Sequence, residues 1–310
     1  MTRPLLVVVG PTCSGKTALA VAVAHALAPA ELLNADSRQV RRGLRVGTCA
    51  PGTTELKGIR CNLLDLCDPG EPFSVADWLT AARLCLDRLD RSGARAVVAG
   101  GTGLYVTALV DGFDLAQVPP DPARRADRSE LGATPEGLDA LAAELRSRDP
   151  EAAGTIDQRN PRRVIRALEI LDAKGGSLRD AQRRALPRDA VMVGLDVARP
   201  VHARWIEHRI AAMFDSGGIQ DEVRWLLGRG LDRQAIVGCG IGYGEALDLI
   251  EGHVGVDAAM QATMRRTLRY ARAQRTWFRR DARLVWFRPD LVDFEQLVDG
   301  VLQLAADAGT

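Results

Sequence analysis

Gly10-Pro11-Thr12-Cys13-Ser14-Gly15-Lys16-Thr17 fits the pattern G-x-x-x-x-G-K-[ST] without exception. In such a loop the glycines let successive backbone N–H groups converge on an anion, and the following helix N-terminus adds a favourable field. Lys16 can reach the outer phosphate oxygens, and the Thr17 hydroxyl can ligate Mg²⁺. The context supports this chemistry. Residues 5–9 form a short apolar run that reads as a buried parallel strand, and residues 17–27 read as a helix. The loop specifies a polyphosphate or pyrophosphate ligand rather than ATP in particular. A nucleoside triphosphatase places an acid at the end of a later apolar strand, but the run 96–99 ends in Gly100. Asp196, after Val193-Gly194-Leu195, is a possible substitute without a catalytic-looking loop behind it. The better acid is Asp36, at the end of a second strand over 31–35. Ligands in open α/β sheets sit over the carboxyl ends of strands. The loop at Gly15, Asp36 and Thr102 are therefore expected to share one pocket.

Residues 261–280 carry Arg265, Arg266, Arg269, Arg272, Arg275, Arg279 and Arg280 with no acid, and Tyr270, Trp277 and Phe278 are interleaved. Arg265, Arg269, Arg272 and Arg279 fall near one helical face. This surface suits a nucleic-acid backbone. The alternative is a helix docked on the sheet with some arginines paired internally. A second cluster, Arg159, Arg162, Arg163 and Arg166, fits either a polyanionic partner or a kinase-like arginine lid.

Strand-loop-helix units repeat along residues 1–110. Strands are expected at 62–66, 94–99, 190–196 and 284–287. Helices are expected at 75–91, 104–110, 162–173, 201–214, 219–227, 244–250 and 256–279, with loops over 41–60. Ser74 and Asp77 form a capping-box start for the first of these helices. This alternation predicts an α/β protein with a P-loop-type parallel sheet flanked by helices. Residues 112–160 differ, with Pro119, Pro120, Pro122, Pro135 and Pro150, dense charge and little strand propensity. They predict a small helical insertion. The expected division is a first part of the core at 1–119, an insertion at 120–161, and a second part at 162–310 with the basic helix.

Of 310 residues, 46% are hydrophobic and 26% charged, which suits a folded chain and argues against disorder. No apolar run reaches the about 18 residues of a membrane span, and no signal peptide is evident. The 41 basic and 40 acidic residues exclude a global polycation. Only Lys16, Lys57 and Lys174 among the basic residues are lysines, a bias that reads as coding habit and not as a binding signal. Six cysteines without a close C-x-x-C pair predict free cytosolic thiols and neither a disulfide scaffold nor a structural zinc.

Taken in order, the motifs resemble those of the tRNA dimethylallyltransferases, also called tRNA isopentenyltransferases. The resemblance covers almost the whole chain. It runs through the loop 10–17, Ala35-Asp36-Ser37-Arg38-Gln39-Val40, the D-x-x-D-P-like stretch at 65–69, Phe73-Ser74-Val75-Ala76-Asp77, and Gly100-Gly101-Thr102-Gly103-Leu104-Tyr105. It continues through R-x-x-R-A-L-E at 163–169, Ile241-Gly242-Tyr243, and the Q-x-T-W-F-R signature at 274–279.

The resemblance implies transfer of the dimethylallyl group from dimethylallyl diphosphate to N6 of adenosine 37, beside the tRNA anticodon, with release of pyrophosphate. It implies that Gly10, Pro11, Thr12, Cys13, Ser14, Gly15, Lys16, Thr17 and Arg209 bind the diphosphate and that Thr17 holds Mg²⁺. Asp36 is the implied general base, with Lys16 and Thr102 as further catalytic residues. Candidate tRNA contacts are Asp36, Ser37, Arg38, Gln39, Thr102, Arg125 (with Arg124 competing), Arg162, Arg163, Arg166 and Arg269. The target base must leave the anticodon-loop stack, which is easier from a single strand. The implied partner is the tRNA anticodon stem-loop, the expected location cytoplasmic, and the expected state a monomer with no membrane association. The chain departs from the family pattern at Arg38, Arg41, Arg45, Ala50, Cys61, Asn62, Trp205, Gly244, Leu268 and Ala273. Two other readings remain open here, a P-loop small-molecule kinase and a non-catalytic RNA-binding protein.

Overall fold

The computed structural model describes residues 3–113, 118, 121–181 and 187–309. Pro119 and Pro120, where the expected boundary between core and insertion falls, lie outside the described residues. Six strands, β1 Leu5–Val9, β2 Ala30–Asn34, β3 Cys61–Asn62, β4 Arg95–Gly100, β5 Ala190–Leu195 and β6 Leu284–Phe287, form one sheet in the order β3-β2-β4-β1-β5-β6. Every pairing is parallel. Parallel strands need helical crossovers, and these cover the faces, so β1 reads as an unbroken apolar run buried throughout.

On one face, Leu6, Val8, Leu32, Val97 and Val193 pack with Leu19 and Val23 of the helix Lys16–Ala26 and with Leu297 and Val301 of the helix Phe294–Asp307. A second cluster is helical. Ile206, Ile210 and Phe214 of Arg199–Asp215 pack with Ile219, Val223 and Leu226 of Gly218–Gly228, Ile236 of Arg233–Cys239, Leu247 of Tyr243–Ile250, and Ala259 and Ala271 of Val256–Phe278. The helix Val75–Ser92 starts at the Ser74–Asp77 capping box, as the sequence predicts: Asp77 accepts from Ser74 N at 2.8 Å, and Ser74 Oγ accepts from Asp77 N at 3.3 Å. The strand expected over 62–66 stops at Asn62, because Leu63 and Asp65 turn to φ of 67° and 56°. The expected loop over 41–60 contains a short helix, Thr53–Leu56.

The chain divides into two compact units, Met1–Val110 with Arg188–Thr310, and Asp111–Pro187. The second is wider than the insertion expected over 120–161, and takes in the helix Pro161–Lys174 that was assigned to the core. The reason is packing: Val164, Leu168 and Leu171 of that helix bury against Leu141 and Leu145 of Pro135–Arg148. The prolines here start helices. Pro122, Pro135, Pro150 and Pro161 each open one, behind Asp121, Thr134, Asp149 and Asn160, whose side chains accept backbone N–H groups of the first turn.

Within the first unit, β4 lies between β1 and β2, with Val9 in register with Gly100 and Asn34 with Ala99. Three loops therefore leave the same edge of the sheet side by side. Trp78, fully buried, stacks on Tyr105 at 4.6 Å and donates from its indole to the Asn34 carbonyl at 3.0 Å, two residues before Asp36. A Cβ on Gly100 would stand 2.2 Å from the Ala35 carbonyl oxygen. Gly100→Ala is expected to destabilise the unit by about 1–3 kcal/mol, read as a lower Tm in thermal denaturation; an unchanged Tm would contradict this close backbone approach.

Candidate active site

The loop between β1 and the helix Lys16–Ala26 turns through positive φ at Gly10 (151°), Cys13 (60°) and Gly15 (87°). Alternation of this kind aims backbone N–H groups into one concavity. Thr12, at the centre of the turn, is held by three side chains. Its N–H donates to Gln274 Oε1 at 2.8 Å, its carbonyl oxygen lies 2.7 Å from His202 Nε2, and its hydroxyl accepts from the Arg209 guanidinium at 3.1 Å. Arg209 also reaches the Cys13 sulfur at 3.0 Å. The sequence-predicted arginine therefore stands at the phosphate loop. Lys16 Nζ donates to the Pro11 carbonyl at 2.7 Å. Burial pushes the Lys16 ammonium down to about 8, with the positive charge of Arg209 adding to that and the Asp36 and Cys13 side chains opposing it. Ser14 is fully buried, and its hydroxyl has no hydrogen-bond partner among the described residues.

Lys16, Thr17, Arg209 and Asp36 line one cavity, together with Gln39 and Thr48. An adjoining cavity shares Thr12, Asp36, Thr48 and Arg209 with it, and adds an apolar wall of Ile206, Ile210, Met213 and Ile241 beside Arg38 and Tyr270. Asp36 thus faces both an anion cradle and an apolar compartment. One Asp36 oxygen accepts from Arg38 N at 2.9 Å. The turn that carries it is fixed from the turn after β4, where the Thr102 hydroxyl accepts from Ser37 N at 2.9 Å and lies 3.2 Å from Ser37 Oγ. Arg38 extends to the Gly238 carbonyl at 2.7 Å. Gln39 has its amide engaged inside the protein, donating to the carbonyls of Thr48 at 3.2 Å and Cys49 at 2.9 Å.

That next loop is held by one carboxylate. Glu222 accepts from the backbone N–H groups of Arg45 and Val46 at 2.5 and 2.6 Å, from Gly47 at 3.0 Å, and from the Tyr243 hydroxyl at 2.8 Å. Burial raises the Cys49 thiol to about 11 and lowers His202 below the usual imidazole value, so both are neutral at pH 7.

The arginines of the helix Val256–Phe278 separate into two sets. Arg266 pairs with Glu245 at 2.7 Å, and Arg275 and Arg279 both pair with Asp196, at 2.6 and 2.8 Å. Asp196, considered above as the acid a nucleoside triphosphatase would need, is thereby occupied, and Arg279, though exposed, is paired with it. Arg265, Arg269 and Arg272 are exposed at i, i+4 and i+7. In the second unit, Arg125 and Arg166 both hold the buried Glu169, at 2.6 and 3.1 Å, and Arg124 reaches Asp121 and Asp172. Arg162 and Arg163 are exposed. With Arg166 fixed to Glu169, the kinase-like lid loses one of its members.

Several residues of this site lacked an individual signal. Gln274 and Tyr243 sit in recognised motifs, but nothing in their spacing reveals which atoms they bind. Glu222 reads as an ordinary polar position of an amphipathic helix, and His202 as an isolated histidine.

The chain matches the family model described as IPP transferase over residues 39–281, and that described as Isopentenyl transferase over residues 4–68. It is 38% identical to a tRNA dimethylallyltransferase of Geobacillus thermodenitrificans, over 96% of this chain and 93% of that protein. It is also 38% identical to one of Streptomyces griseus, over 99% and 97%. The full-length tRNA isopentenylpyrophosphate transferase of Bacillus halodurans superposes with a TM-score of 0.72 at 34% identity, covering 99% of this chain and 98% of that one. A eukaryotic dimethylallyltransferase acting on tRNA shares the fold, with a TM-score of 0.79 at 21% identity over 98% of this chain and 77% of that one. A cradle for an anion, a carboxylate on the same cavity and an apolar compartment beside both are thus carried by a chain that belongs to the IPP transferase family, the tRNA dimethylallyltransferases.

Proposed function

We propose that the protein transfers the dimethylallyl group of dimethylallyl diphosphate to N6 of adenosine 37 in tRNA and releases pyrophosphate. The observation that carries this reading is the double exposure of Asp36, which lines both the phosphate-loop cavity and the apolar compartment next to it. The diphosphate lies on the amides of the loop, with Lys16 and Arg209 offsetting the charge that grows as it departs. The branched five-carbon chain fits against Ile206, Ile210, Met213 and Ile241. The N6 lone pair attacks the allylic carbon. A carbon–nitrogen bond forms as the carbon–oxygen bond breaks, the bonding pair leaves with pyrophosphate, and the N6 proton passes to Asp36. The hard hydroxyl donor of Thr17, on the same cavity as Lys16, fits Mg²⁺, and the ion when bound would neutralise diphosphate charge.

For the tRNA, exposed Arg265, Arg269 and Arg272 are the backbone contacts we favour in the first unit, and Arg162 and Arg163 in the second. Arg125 and Arg166, held by Glu169, are weaker candidates. Every residue invoked for the chemistry comes from one chain, which suits a monomer acting in the cytoplasm where its tRNA substrate resides.

With Mg²⁺, dimethylallyl diphosphate and unmodified tRNA, the wild-type protein is expected to form the modified nucleoside. Asp36→Ala should lower kcat by about 10²–10⁴-fold while tRNA binding stays near wild type; full activity in this variant would remove Asp36 as the base. Lys16 is protonated below about pH 8 and neutral above it. The kcat/KM for dimethylallyl diphosphate should therefore fall as pH rises through that value, and a flat profile would contradict a role for its charge. Arg269→Ala should weaken tRNA binding and reduce its salt slope by about one unit; unchanged affinity would exclude the contact.

A further inference from the structure

Gln274 is buried, with its side chain between two loops that the sheet itself does not join. Strands β1 and β4 are paired up to Val9 and Gly100. Beyond that pair the chains diverge into the phosphate loop and the Gly101–Thr102 turn. There the Gln274 amide takes over, accepting from Thr12 N at 2.8 Å and donating to the Gly101 carbonyl at 2.9 Å. Its two polar atoms thus act as one extra rung of the ladder, supplied from the helix Val256–Phe278. The fit is close: a Cβ on Gly101 would lie 2.2 Å from Gln274 Nε2. On one side of this rung is the loop that bears Lys16. On the other is Thr102, which holds Ser37 and hence the turn of Asp36. The Thr12 N–H, engaged by Gln274, points to the rung and not to the anion.

We propose that Gln274 is a positioning residue for the transfer: its amide fixes the diphosphate loop against the turn that orients Asp36, and so sets the gap across which the allylic carbon and the acceptor amine meet. This rests on the reading of the reaction given above. A displacement of about 1 Å between reacting groups costs on the order of 100-fold in rate, so loss of the rung is read mainly in kcat.

The test compares Gln274→Glu and Gln274→Met at pH 8 and pH 6, with dimethylallyl diphosphate and tRNA both saturating. An ionised Glu still accepts from Thr12 N but sets an oxygen against the Gly101 carbonyl. A protonated Glu donates to that carbonyl and restores both bonds. Burial beside a carbonyl raises a carboxyl pKa, which brings protonation within reach at pH 6. Lys16, Arg275 and Asp196, the charged groups that act on His202 at the Thr12 carbonyl, are common to wild type and variants, so the ratio of variant to wild-type kcat isolates the substituted side chain. At pH 8 the Glu variant should lose at least tenfold in kcat with its KM for dimethylallyl diphosphate within threefold of wild type. Its ratio should recover at least threefold at pH 6. The Met variant should be depressed at both pH values without recovery. A Met variant within twofold of wild-type kcat, or a Glu ratio that does not change between the two pH values, overturns the proposal. If the Met variant does not fold, the Glu ratio decides alone. An inactive wild-type protein would instead overturn the proposed reaction.

Discussion

The first unit depends on how tightly β4 is inserted between β1 and β2. Parallel strands in this order bring three carboxyl ends to one edge, and only a glycine at position 100 lets the β4 backbone meet the Ala35 carbonyl. The phosphate loop, the Asp36 turn and the Gly101–Thr102 turn then emerge as neighbours. Their mutual hydrogen bonds, from Thr102 to Ser37 and through Gln274 to Thr12 and Gly101, extend the order of the sheet into the loops. Preorganisation of this kind matters because the groups must be in place before charge develops on the leaving group.

Charge is distributed with comparable economy. Nearly all basic residues are arginines, and the structure separates them by partner. Asp196, Glu169, Glu245 and Asp172 bind those with structural roles, several through short contacts to largely buried carboxylates. Arg209 sits at the phosphate loop, and the outward row at 265, 269 and 272 is left exposed. Helical spacing placed Arg279 in that row as well. What sets it apart is its pairing with a carboxylate 83 positions away in sequence, which spacing cannot reveal.

The local features were the legible ones. The phosphate loop with its flanking strand and helix, the Ser74–Asp77 start and the apolar run of β5 follow from residue type and short-range periodicity. The strand order was not legible, because it depends on contacts between distant segments. Neither was the helix Phe294–Asp307, although Leu297, Val301 and Ala305 recur every four residues behind an Asp293 cap. Pro122, Pro135 and Pro150 were among the signs of a helical insertion, but not their place in it: with Pro161 they occupy the first helical position, where a missing N–H costs nothing. In the site, Asp36 and Lys16 were accessible as types of chemistry. Gln274, His202 and Glu222 were not, because their importance lies in which backbone atoms they reach.

The Glu222 clamp has a bearing on traffic through the site. Lifting the segment 45–47 would strip one carboxylate of three amide donors at once and leave it the Tyr243 hydroxyl as its remaining named donor, and depriving a carboxylate in this way is costly. Thr48, the next residue, walls both compartments and moves with that segment. This side of the chamber therefore behaves as masonry and not as a door, so reactants must come and go past other boundaries.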